Sequence, residues 1–195
     1  VENLLRTYGL MRAGELRAHG IAPTTLSRMS ADGAVVRLGR GLYQLADAPI
    51  EEHHTIAEVA KRVPRGVICL VSALAFHGLT DQLPKRVWIA IGRKDWAPKI
   101  DAPKIRIVRL ADDLLRSDVE TQTVEGVEVK VFSPLRTVVD MFRQEKMGGL
   151  PVAVEGLREL LRTRAATAGE VAERADAMGV WSKMRPYVET LAANA

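Results

Sequence analysis

The sequence predicts an α+β protein in two parts: a small N-terminal unit of short helices closed by a hairpin, residues 1–48, and a mixed α+β domain ending in a helical bundle, residues 49–195. Three observations predict it. Helix-forming segments come first and run directly into two strand-like stretches around the turn Gly39-Arg40-Gly41. A polar joint containing Pro49 follows at Asp47 to Ile50, as suits a domain boundary. Beyond it, the alternation of "RVWIAIG", "KIRIVRL" and "GVEVKVF" gives way to helical spacing after Ser133-Pro134.

Composition allows this architecture and excludes others. The 195 residues are 47% hydrophobic, enough for real cores and against disorder. No run approaches the roughly 18 apolar residues of a membrane span, and "VENLLRTYG" lacks a signal-peptide pattern, so a cytoplasmic protein is expected. Cys69, the single cysteine, lies in the apolar run "GVICLV" and is expected to pack. A net charge of +4 and a pI near 9.4 are compatible with a nucleic-acid partner without demonstrating one.

The first part reads as three helices. Leu4, Leu5 and Tyr8 share one helical face, which Gly9 can end; "MRAGELRAHG" is a second helix around Leu16, closed by Gly20. Pro23, at home in a first helical turn, opens a third that runs to about Ala31. Leu26 and Met29 face its core, leaving Thr24, Thr25, Ser27 and Arg28 to point outward. In "GAVVRLGRGLYQL", Val35, Val36 and Leu38 pair with Leu42, Tyr43 and Leu45 across a glycine turn, and Arg37 and Arg40 project from the ribbon. Helix, helix, polar helix and basic hairpin in that order form a winged helix-turn-helix, whose third helix enters a major groove while the wing meets the phosphate backbone. Thr24, Thr25, Ser27, Arg28, Arg37 and Arg40 are the candidate DNA-contacting residues.

The stretch "GELRAHGIAPTTLSRMSADGAVVRLGRGLYQL", Gly14 to Leu45, resembles the N-terminal winged helix of AbiEi-family antitoxins of type IV toxin-antitoxin systems. "VSALAFHGLTDQLPKRVWIAI", Val71 to Ile91, resembles the start of that family's C-terminal domain. The resemblance implies a repressor of its own operon that binds inverted repeats in the promoter. It also implies a nucleotidyltransferase-like toxin as the second partner, opposed directly or functionally.

The second part carries charge but little chemistry. Lys85, Arg86, Arg93, Lys94, Lys99 and Lys104 form a candidate additional basic patch, followed by an acidic stretch from Asp112 to Glu128. A nuclease would need an acid from Asp112, Asp113 or Asp118 together with Glu128 and Lys130. Yet "GVEVKVF" is simple alternation that buries Val127, Val129 and Val131 and leaves the charges in solvent. His53 and His54 are adjacent, and His19 and His77 isolated, so no metal is expected; no phosphate loop or other cofactor motif is present. His77 reads as a helix C-terminal residue, and Ser72, Ser133 and Thr167 with Glu170 as helix caps. The expectation is therefore a DNA-binding antitoxin without catalysis; the alternatives are a regulator with a ligand or oligomerisation domain, and the nuclease.

Overall fold

Helix α1 (Glu2–Tyr8) ends where Gly9 adopts a φ of 63°, a conformation that costs any other residue strain. The computed structural model describes residues 1–193; residues 194–195, the end of the expected second domain, lie outside the described residues. The chain after α1 contains β1 (Met11–Arg12), α2 (Ala13–Ala18), α3 (Pro23–Ala31), β2 (Val35–Gly39), β3 (Leu42–Leu45) and α4 (His54–Arg62). The three strands form an antiparallel sheet in the order β1-β3-β2.

Strand β1 departs from the sequence reading, which began a helix at about Met11. Met11 instead pairs with Tyr43 and Arg12 with Leu42, so the hairpin gains a third strand and the helix starts two residues later. Two adjacent residues give no periodicity, which is why the strand is silent in the sequence. Leu5, Met11, Leu16, Leu26, Val35 and Leu45 make the core of this region, with Leu4, Met29 and Tyr43 packed against it. Val36 is 40% exposed: the period of two along β2 allows only one of Val35 and Val36 to face inward, and Val35 does.

The remaining elements are β4 (Val67–Ile68), α5 (Leu70–Phe76), β5 (Val87–Gly92), β6 (Ile105–Leu110), α6 (Asp112–Arg116), β7 (Val119–Val124) and β8 (Val127–Phe132). Helices α7 (Pro134–Arg143), α8 (Glu145–Gly148), α9 (Leu150–Arg162), α10 (Ala168–Ala177) and α11 (Trp181–Ala192) follow. The second sheet has the order β6-β5-β4-β8-β7, with β6 parallel to β5 and β8 parallel to β4. Ser133 accepts from the Arg136 N–H with Pro134 in the first turn, and Thr167 and Glu170 close the capping box, as read from the sequence. Ser72 does not cap a helix. Helix α5 begins at Leu70, which puts Ser72 inside it, and its hydroxyl accepts from the Trp88 N–H at 2.9 Å. The fold is thus α+β, with an N-terminal winged helix and C-terminal helices.

The chain packs as two compact units. The first comprises Val1–Arg65 with Pro98–Pro103 and Thr121–Val129; the second comprises Gly66–Ala97, Lys104–Glu120 and the chain from Lys130 onward. The first unit therefore includes α4 and the β7–β8 turn besides the winged helix. At that turn a Cβ on Gly126 would lie 2.5 Å from the Tyr8 carbonyl oxygen, so only glycine allows the approach. The Glu125 carboxylate accepts from the Glu51 N–H at 3.0 Å and meets His54 Nδ1 at 2.7 Å. The second unit has its own core, in which Leu74, Ala90, Phe132, Val139, Phe142, Leu157 and Met184 are buried. Among the described residues no helix is long and apolar enough to cross a membrane.

Candidate nucleic-acid interface

Helix α3 is anchored by one face and free on the other. Leu26 is buried and Met29 half-buried, while Thr24, Ser27 and Arg28 are exposed and Thr25 is half-buried. Thr24 and Arg28 stand one turn apart on the same face, four residues being close to a helical turn. Ala22, in extended conformation, precedes Pro23 at the start of the helix, where proline loses no intrahelical bond. The hydroxyls and Arg28 thus form a short polar ridge on a helix fixed from behind.

The wing is the β2–β3 hairpin. Val35 pairs with Leu45, Val36 with Gln44 and Arg37 with Tyr43; the register then shifts, so that Gly39 pairs with Leu42. Its two glycines do different work. Gly41 has a φ of 69° and makes the turn, whereas a Cβ on Gly39 would come within 2.2 Å of Arg62 Nη2. Glycine at 39 is a matter of close approach, a reason the sequence alone did not reveal. Arg40 is exposed at the tip, and Arg37 is exposed while its Nε donates to the Gly39 carbonyl at 3.1 Å. Among the described residues neither Arg28 nor Arg40 has an ion-pair partner.

Arg62, at the end of α4, fastens the wing from below. It donates to the Leu38 carbonyl at 3.0 Å and to the Ala102 carbonyl at 2.6 Å, and it pairs with Glu58 one turn earlier. Burial pushes the Glu58 carboxyl above its usual range, with the Arg62 cation pulling the other way. Sequence reading missed this residue because its partners are 24 and 40 positions away. Burial also raises the Glu15 carboxyl, but the Arg12 N–H and the Lys61 ammonium at 2.8 Å outweigh it and leave it below its usual range. A groove of about 780 Å³ runs beside the wing, and Arg12, Arg40, Arg62 and Lys99 line it against Glu15 and Asp101.

The candidate basic patch is spread out. Lys85 and Arg86 precede β5 and Lys104 precedes β6, at the end of the pair where Val87 faces Ile105. Arg93 and Lys94 follow β5, at the opposite end where Gly92 faces Leu110. A six-residue strand separates the two groups by about 20 Å. Lys99 belongs to the groove beside the wing. All six side chains are exposed.

The residues of the nuclease alternative lie on β8, on α6 and just after it. In β8, Val127, Val129 and Val131 are buried, Glu128 is exposed and Lys130 half-buried. Asp112 and Asp113 sit in the first turn of α6, and Asp118 pairs with Arg174 and Arg136. Among the described residues no group of three acidic, histidine or cysteine side chains is disposed to hold a metal. His77 ends α5, its Nε2 2.8 Å from the Phe132 carbonyl oxygen, and His19 stacks on Tyr8. Cys69 is buried, and burial raises its thiol well above the ordinary range.

Comparison with solved structures finds the crystal structure of the RV2827C protein from Mycobacterium tuberculosis similar in fold, with a TM-score of 0.58 and 15% sequence identity. The match covers 96% of this chain and 78% of that one. No curated protein matches the sequence. Residues 1–46 match the family model described as "Transcriptional regulator, AbiEi antitoxin", and these residues hold α3 and the wing. The N-terminal segment of the chain is accordingly similar to the AbiEi regulators, and it has the winged-helix fold.

Proposed function

We propose that the protein is a DNA-binding antitoxin, without catalytic activity, that represses its own operon and counteracts a nucleotidyltransferase-like toxin in the cytoplasm. One observation carries the reading: the segment that matches the antitoxin regulators is the segment that presents Arg28 on an anchored helix and Arg40 on a braced wing. In this reading Thr24, Thr25, Ser27 and Arg28 read base edges in a major groove, while Arg37 and Arg40 meet the sugar-phosphate backbone. The winged helix, residues 1–48, supplies DNA recognition, and residues 49–195 supply neutralisation. Inverted repeats in the operon promoter are the proposed target.

Two experiments test the two halves. Mobility shift with a duplex spanning the promoter upstream of the gene should show binding that exceeds binding to a scrambled duplex of equal length. Co-expression with the product of the adjacent gene should restore growth to cells that this product arrests. Equal binding to both duplexes would remove the repressor reading, and arrest that persists would remove the antitoxin reading.

A further inference from the structure

Trp96 is 97% exposed, the highest value among the large apolar side chains that the described residues leave in solvent. An indole of this size buries roughly 150–250 Å² when covered, so an uncovered one contributes little to its own fold. Trp88 shows the contrast: it is buried, and the Arg106 guanidinium lies over its ring at 4.5 Å from the centroid. Trp88 is used by the core and Trp96 is not.

The turn that carries Trp96 is braced rather than loose. The Gly92 N–H donates to Asp95 Oδ2 at 3.0 Å, and the Asp95 N–H donates back to the Gly92 carbonyl at 3.1 Å. Arg109 of β6 sends Nη1 to the carbonyls of Gly92, Arg93 and Asp95, at 3.2, 3.0 and 2.8 Å. Three carbonyls gathered on one guanidinium fix the backbone beside the indole. The entropy of ordering this turn is therefore met by folding and need not be met again on binding. Arg93 and Lys94, both exposed, stand three and two residues before the indole, with the half-buried Asp95 between.

An exposed aromatic ring on an ordered turn, with two cations beside it, suits a polyanion. We propose that the Arg93–Trp96 turn is a second DNA-contacting element, the indole packing on deoxyribose and its N–H donating to a phosphate oxygen, with Arg93 and Lys94 on neighbouring phosphates. The proposal rests on the DNA-binding reading of the winged helix. It is favoured over an acidic protein partner because the same chain carries a segment similar to transcriptional regulators.

The test uses the full chain and the promoter duplex. Acrylamide quenching of tryptophan emission is measured for the wild type and for Trp96→Phe, with and without DNA; the difference between the two proteins isolates Trp96. Addition of duplex should shield that component several-fold. Trp96→Ala should weaken duplex binding about tenfold, as for a contact that anchors an interface. It should do so at an unchanged dependence on salt, since indole neutralises no phosphate, whereas Lys94→Ala should flatten the log–log slope by about 0.9. Both Trp96 variants keep the core intact, which an unchanged unfolding midpoint verifies. If the wild type binds the duplex while Trp96 stays as quenchable as before and Trp96→Ala binds equally well, this proposal falls and the winged-helix reading stands. Failure of the wild type to bind at all overturns both. Shielding only by the adjacent gene's product overturns the assignment to DNA.

Discussion

Arginine does opposite work on the winged helix and in the core of the second unit. In the first, Arg28, Arg37 and Arg40 are exposed on the polar helix and the wing. In the second, Arg136 is wholly buried, with Nε donating to Asp140 at 2.7 Å, Nη1 donating to the Ser117 hydroxyl at 2.7 Å, and the Phe132 ring beneath it at 4.8 Å. Taking a guanidinium out of water costs several kcal/mol unless partners replace the lost hydration, so Arg136 is committed to the fold. Arg28 and Arg40 incur no such cost. The difference teaches where to look for function in a mildly basic protein: at cations that folding has left unspent, rather than at the total charge.

The comparison breaks most visibly at Asp140. Asp140→Ala leaves Arg136 buried without its main counter-charge, and such a loss is expected to lower stability by about 3–5 kcal/mol. Urea unfolding measures it. The folded fraction should still bind the promoter duplex, because Asp140 lies outside the winged helix. A loss below about 1 kcal/mol would mean that Asp118, Ser117 and the aromatic ring suffice for Arg136, and that the contrast between the two sets of arginines is weak.

Arg28→Ala reverses the pattern, with a large effect on binding and little on folding. If Arg28 makes a bidentate contact with a base, its removal should cost about 1–3 kcal/mol on the promoter duplex and much less on scrambled DNA. Stability should change by no more than about 0.5 kcal/mol, as for an exposed site without partners. Equal losses on both duplexes would make Arg28 a backbone contact.

What the sequence made legible follows the range of the forces involved. Caps act over three or four residues, so Pro23, Ser133, and Thr167 with Glu170 were all readable. The winged helix was readable because its order of elements is compact. Strand β1 was not, since it exists only through pairing with β3 some 30 residues later. The Arg62 brace under the wing and the spread of the basic patch to opposite strand ends also depend on partners far along the chain. Trp96 was not legible either, because exposure of an aromatic ring leaves no periodic mark.

Arg40→Ala probes the wing more gently than Arg28→Ala probes the helix. A backbone contact carries little sequence information, so affinity for promoter and scrambled duplexes should fall together. The slope of log affinity against log salt should flatten by about 0.9, the loss of one neutralised phosphate. An unchanged slope would leave Arg40 as a solvated tip.

Arg6→Ala supplies the smallest effect and the sharpest control. Arg6 is also an exposed arginine of the first unit, and its removal changes net charge by the same amount as Arg40→Ala. Unlike Arg40 it has a partner: its Nη2 lies 2.9 Å from Asp47 Oδ2, with both side chains more than half exposed. Exposed pairs of this kind contribute about 0–1 kcal/mol, so unfolding should barely shift. Long-range attraction between the whole protein and DNA would respond alike to the loss of either charge, screened over the same roughly 10 Å. Contact with a phosphate would not. The salt slope should therefore stay at its wild-type value in Arg6→Ala while it flattens in Arg40→Ala; equal flattening in the two variants would show that binding follows overall charge, and that the wing has no privileged contact.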